Sequence, residues 1–306
     1  MRNKIIGILI FILLISSTAT LAIEHVGNNE KQLNHQFSKA AIPGLSSSKT
    51  NEISTKKTFT HTVFCELQTA TWCPDCPTAV KVFYNIYNSN DYQFYYVSLI
   101  HDMNPIAKDR IREYKGNLFK NLTYIGFPTV YFDGGDKNII GINKSVNVTE
   151  ATYREIIEEV GNRSVTVPIE LSSEIVWMGD GKITVTVTIK NNGDKPYLGK
   201  VRSYITEIVS RWKDSKRIPF DFGFLDFAID ESIFISAGET KNISKQWDAT
   251  QAHGQNFGDI SEDNIMVIST ISHWIPHFRI GYKHLYSTQW YFAHYVDQTT
   301  AATPVS

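Results

Sequence analysis

The stretch Trp72-Cys73-Pro74-Asp75-Cys76-Pro77 organises the reading of this chain. Two cysteines at i and i+3 can face each other across one helical turn. At a helix start, Cys73 would meet unpaired backbone N–H groups and the positive end of the helix dipole, and both stabilise a thiolate. The thiolate is the attacking species in thiol–disulfide exchange. Pro74 suits a first helical position, where the missing N–H has no intrahelical partner anyway. Cys76, one turn further in, is expected to be more buried and to hold its proton more tightly. It would act second and resolve a mixed disulfide, whereas the Cys73 sulfur is expected to be accessible.

Outward from this stretch, strand and helix patterns alternate. Phe59–Leu67 reads as a strand, and Pro74–Tyr87 as a helix with Val80, Phe83, Tyr84 and Tyr87 at helical spacing. Gln93–Ile100 reads as a buried strand, and Pro105 to about Leu118 as a helix opened by proline. Thr129–Phe132 and Asn138–Ile142 read as a hairpin around Asp133-Gly134-Gly135-Asp136. Thr149–Val160 reads as a helix, with Thr149 as N-cap and Gly161 as stop. In Gly126-Phe127-Pro128-Thr129-Val130, a proline just before a core strand marks a candidate cis peptide bond. Facing Cys73, such a proline would leave the Phe127 backbone free to pair with an extended substrate chain.

The Trp-Cys-x-x-Cys-Pro sequence, the Gly-Phe-Pro-Thr sequence and the order β-α-β-α-β-β-α resemble the thioredoxin superfamily over residues 57–161. The resemblance implies an α/β thioredoxin-like domain, a central mixed sheet flanked by helices. It implies Cys73 as nucleophile, Cys76 as resolving cysteine and Pro128 as the cis-proline. Trp72 would lie beside them, and Phe127 and Thr129 would contact substrate. Exported relatives commonly oxidise, reduce or isomerise protein disulfides, with no cofactor beyond the redox-active disulfide itself.

Two departures stand out. The family often carries a buried carboxylate six residues before the first cysteine. Here Leu67 holds that position, and Glu66 should point to the opposite sheet face unless a bulge re-aims it as the proton acceptor. Asp75, between the cysteines, opposes thiolate formation. A less stabilised thiolate favours the disulfide form and makes the pair a weaker oxidant, which points to a reductase or isomerase.

From residue 165 to 298 the helical signal disappears. Ile183–Ile189 alternates apolar and polar residues. Further strands are expected at 165–171, 201–209, 229–235, 240–247, 265–271 and 289–296. Short strands separated by turn signals suggest an all-β immunoglobulin-like sandwich as a second domain.

The N-terminus speaks to compartment. Arg2 and Lys4 precede an apolar run, Ile5–Ile15, followed by small residues up to Ala22. This describes a signal peptide over 1–22, and the run is short for a membrane anchor. Residues 23–56 are polar and aperiodic, as in a flexible linker. An exported, extracytoplasmic, secreted or envelope protein is expected. The sequons at Asn121, Asn143, Asn147, Asn162 and Asn242 suit that compartment. With 30 basic against 31 acidic residues in 306, no basic field exists to hold a nucleic acid. The expected partners are proteins carrying disulfides or thiols, together with a membrane or exported redox partner.

Other residues carry weaker signals. Structural zinc needs four ligands and no second Cys-x-x-Cys exists, so no metal site is expected at the cysteines. Cys65, in the first strand, reads as a small buried hydrophobe beyond disulfide reach of Cys73. Neither His61 nor His101 forms a metal motif with the cysteine pair, and His253, His273, His277, His284 and His294 match no standard zinc spacing. Five of the six tryptophans lie beyond residue 165, and 273–278 is a candidate aromatic platform. The leading expectation is an exported thiol–disulfide oxidoreductase. The alternative is an envelope binding or adhesion protein that uses the first domain as scaffold and the second for partner or glycan contact.

Overall fold

In a computed structural model of the chain, residues 57–114, 126–143, 145–165, 167–283 and 289–305 are described. The expected signal peptide, the linker up to residue 56, Asn121, His284 and the end of the helix expected to reach Leu118 lie outside them. Among the described residues no helix is long and apolar enough to cross a membrane.

Strand β1 (Val63–Thr69) is buried along its length, because it lies between two other strands and is covered on both faces. It pairs in parallel with β2 (Phe94–Ile100), from Val63↔Phe94 to Thr69↔Ile100. On its other side it pairs antiparallel with β3 (Thr129–Phe132). Strand β4 (Lys137–Ile140) extends the sheet beyond β3. Helices α1 (Cys76–Ser89) and α3 (Val146–Gly161) cover one face. Their contact centres on Phe83, whose ring lies 5.0 Å from Tyr96 and 5.1 Å from Tyr153. The other face meets α2 (Pro105–Glu113), whose first turn is capped by Asn104 accepting from the Ile106 and Ala107 amides.

On that second face lies a buried carboxylate. Glu66, 1% exposed, accepts from Arg110 Nε at 2.8 Å and Nη2 at 2.7 Å. The Tyr114 hydroxyl donates to it, and so does that of Tyr204 at 3.0 Å. Burial and then the Glu66 charge push the Tyr114 hydroxyl up, so it remains a donor. Tyr204 belongs to β7 (Tyr197–Lys213), well over a hundred residues further along the chain.

Strand β7 forms a long antiparallel hairpin with β8 (Pro219–Ile235). Strand β8 joins β2 through Ser98↔Gly223, and Ser98 Oγ donates to the Asp221 carbonyl at 2.7 Å. Gly223 also packs against β7, so that a Cβ there would sit 2.4 Å from Ser210 Oγ. Strands β10 (Ile265–His273) and β13 (Val296–Ala302) follow on that side. On the other side β11 (His277–Lys283) and β12 (Gln289–Ala293) continue beyond β4. The sheet has ten strands in the order β12-β11-β4-β3-β1-β2-β8-β7-β10-β13. A three-stranded sheet, β5 (Ile169–Gly179), β6 (Lys182–Asn191) and β9 (Thr240–Asp248) in the order β5-β6-β9, shares an apolar core with β7, β8 and β10. That core includes Ile183, Val185, Val201, Leu225 and Val267.

This corrects the expected fold class. The described chain is mostly β, with thirteen strands and three α-helices. It is neither a helix-flanked α/β thioredoxin-like domain nor such a domain followed by a separate immunoglobulin-like sandwich. Strands from before residue 161 and after residue 165 share one sheet, because the edge that β2 would otherwise expose is paired by β8. Helix boundaries also shift. Helix α1 begins at Cys76, with Asp75 at the N-cap and Pro77 in the first turn, so Pro74 lies ahead of the helix. Helix α3 begins at Val146 with Ser145 at its N-cap, three residues before Thr149.

The Glu66 network yields a stability test. Arg110→Met would leave the Glu66 charge buried without its cation, a loss of about 3–5 kcal/mol for a broken buried pair. Urea unfolding of the variant is expected to show it. A change under about 1 kcal/mol would mean the pair is energetically idle.

Candidate functional site

Strand β1 ends at Thr69, and the chain turns through Ala70–Asp75 into α1. Asp102, just beyond β2, pins this turn: its carboxylate accepts from the Thr71 amide at 3.0 Å and the Thr71 hydroxyl at 2.5 Å. The Cys73 amide donates to the Ala70 carbonyl at 3.2 Å. Cys73 and Cys76 form a disulfide, with Cα atoms 5.4 Å apart. The Cys76 amide, at the start of α1, donates to Cys73 Sγ at 3.1 Å. A helix-end amide aimed at this sulfur favours its anionic form.

Access is the second property of the site. Cys73 is 2% exposed and Cys76 fully buried. The chain neighbours Trp72, Pro74 and Asp75 are exposed, Trp72 at 62%. Cys73 thus lies directly beneath the surface, whereas an accessible sulfur was expected. Its cover is aromatic. Half-buried Phe127 packs against Ala70, Cys73 and Cys76, and Trp72 and His101 meet its ring edge-on at 5.5 and 5.2 Å. From the β7–β8 turn, the Ser215 hydroxyl donates to the Cys73 carbonyl at 3.1 Å.

The structure brings together Trp72, Cys73, Cys76 and Phe127, with Pro128 following Phe127 through a cis peptide bond. It places two further residues elsewhere. Thr129 is buried in β3, where its hydroxyl donates to the Gly126 carbonyl at 2.8 Å. It therefore shapes the loop before the proline from within. Both Glu66 oxygens are committed to Arg110, Tyr114 and Tyr204, and none of these bonds involves a cysteine. Cys65 is free and buried, and burial, then Asp133, push its thiol up. His61 Nε2 and the buried Asp133 carboxyl share a hydrogen bond of 2.5 Å, a pairing internal to the fold.

Asp102, Ser215 and His101 were not assigned to this site from sequence. Ser215 arrives from far along the chain, where no local signal marks it. His101 was weighed only as a metal ligand. It sits beside Phe127, with a buried Nε2 that makes no hydrogen bond. Burial, then Lys108, lower its pKa, so its ring is neutral at neutral pH.

No family model matches the chain, and no curated protein matches it. Among solved structures, HBP35 of Porphyromonas gingivalis superposes with a TM-score of 0.53 at 16% identity, over 81% of this chain and 77% of that one. A protein from Agrobacterium tumefaciens gives 0.44 at 11% identity over 79% and 94%. A β-glucosidase from Kluyveromyces marxianus gives 0.24 at 13% over 46% and 14%. At these scores the last two carry no argument. The likeness to HBP35 shows a shared fold, mostly β as described above, and at this identity it shows the fold alone.

Proposed function

We propose that the protein is a thiol–disulfide oxidoreductase acting on protein disulfides through Cys73 and Cys76. One observation carries the reading: the Cys73 sulfur accepts the amide that opens α1, the placement that makes a cysteine a nucleophile and a leaving group. The resemblance of the two motifs to the thioredoxin superfamily supports the same chemistry.

In the reductive direction the Cys73 thiolate attacks one sulfur of a substrate disulfide and expels the other as a thiolate. A mixed disulfide forms. The Cys76 thiolate then attacks Cys73 Sγ, expels the second substrate thiolate and closes the 73–76 bond. Two electrons pass from the cysteine pair to the substrate, and the protons lost by Cys73 and Cys76 end on the substrate thiols. A dithiol donor, membrane-bound or exported, regenerates the pair. Asp75, an exposed anion between the cysteines, favours this reductase or isomerase direction. Substrate reaches the sulfur when the Phe127 and Trp72 rings move aside.

A second reading, a binding module, is favoured by an exposed apolar face on β11 and β12. There Phe278 and Trp290 stack at 4.7 Å beside Ile280. Such a face is suited to protein or glycan contact.

Insulin reduction separates the two. Cys73→Ser is expected to abolish turnover, and Cys76→Ser to accumulate a mixed disulfide at Cys73, detectable by intact mass. Equal activity of Cys73→Ser and the parent would leave the binding module standing. The aromatic cover makes its own prediction. Phe127→Ala removes contacts of about 0.5–1.5 kcal/mol, so a small phosphine should reduce the disulfide about two- to tenfold faster. An unchanged rate would mean that Phe127 is not the gate.

A further inference from the structure

The turn between β10 and β11, His273-Trp274-Ile275-Pro276-His277, brings two imidazoles together away from the cysteines. His273 Nε2 and His277 Nε2 lie 2.9 Å apart, with the rings nearly perpendicular. Each ring is held from behind. His273 Nδ1 meets Asp297 Oδ2 at 3.0 Å. Asp297 is itself buried and fixed by the Tyr197 hydroxyl at 2.8 Å and Arg163 Nη1 at 3.2 Å. The His277 ring lies flat on Tyr295, with centroids 4.1 Å apart.

The tautomer follows from these contacts. A carboxylate accepts only, so His273 carries its proton on Nδ1, and in the neutral ring the Nε2 lone pair points toward His277. A carboxylate behind one nitrogen of a histidine is the usual support for metal binding at the other. Nearby charge does not forbid a cation: Asp133, Asp136 and Asp297 face Arg163 and Arg279. Side-chain exposure of 21% at His273 leaves a path for an ion.

We propose that His273 and His277 bind a divalent first-row transition cation, Cu2+ in preference to Zn2+, the ion displacing the proton that joins the two rings and lying to one side of the line between the nitrogens. Two metal–imidazole bonds of about 2.0–2.1 Å meeting at roughly a right angle span about 2.9 Å, the separation found here. Adjacent positions of a tetragonal centre have that angle, and copper(II) favours them. Tetrahedral zinc would need the nitrogens further apart. Among the described residues no group of three or more His, Cys, Asp and Glu side chains converges. Solvent, or a donor from an incoming ligand, would fill the remaining positions, so the site is open.

The test uses the full chain with the 73–76 disulfide closed, which keeps those two thiols out of the measurement. Cu2+ and Zn2+ are titrated separately against a chromophoric chelator. One tight equivalent of Cu2+ is expected, with two nitrogen couplings in its electron paramagnetic resonance spectrum, and weaker Zn2+ binding. His277→Phe keeps the stack on Tyr295 and removes the donor atom, so it should lose the equivalent while remaining folded by circular dichroism. Asp297→Asn should weaken binding by about 10–100-fold, and His253→Ala, at a histidine that instead pairs with Asp226, should change nothing. Equal Cu2+ affinity in the parent and His277→Phe would overturn the proposal, as would a parent that takes up no copper. Zn2+ bound as tightly as Cu2+ would overturn the tetragonal assignment.

Discussion

A carboxylate in the middle of an apolar sheet must be neutralised and fully hydrogen-bonded, and Glu66 meets that demand with three side chains from two other elements. Arg110 and Tyr114 come from α2 and the residue that caps it, and Tyr204 from β7. The donors satisfy one acceptor, so β1, α2 and β7 cannot shift independently without exposing a buried charge. The constraint extends outward through Arg202 of β7, which pairs with Glu113 and Asp230. The continuity of the ten-stranded sheet rests on this polar centre as well as on its apolar neighbours.

The disulfide turn hangs from the end of that fixed strand. From Glu66 the chain needs only a few residues to reach Ala70, and the turn is then held by Asp102 on one side and Ser215 on the other. A strand, a loop after the neighbouring strand and a distant hairpin turn together position one sulfur. Among the described residues the cover over Cys73 is the Phe127 side chain, itself met by Trp72 and His101. Exchange chemistry at this sulfur would need that cover to move, because attack on a disulfide sulfur requires alignment as well as access.

Local chemistry was readable from sequence wherever it depends on neighbours along the chain. The cysteine spacing, the Phe127-Pro128 pair and the alternation of Ile183–Ile189 are such features. What depends on distant packing was not. The β2–β8 joint consists of one bridge at Ser98 and Gly223, and nothing near either residue announces it. Phe220, Phe222 and Phe224 alternate at strand spacing and extend β8 well before the expected start at Ile229. Helix α1 starts later than Pro74 suggests, since Pro77 is equally tolerated in a first turn. The His273-x3-His277 spacing carries no site by itself, since its support, Asp297, comes from another strand.

The central claim is that the Cys73–Cys76 bond opens and closes in the folded protein. An equilibrium titration of the native protein in glutathione buffers, followed by mass after alkylation, tests it most directly. The account predicts a reversible two-electron transition within the range of biological dithiols, with circular dichroism unchanged across it and a midpoint toward the reducing end. A bond that yields only in denaturant, or whose opening unfolds the protein, would contradict it.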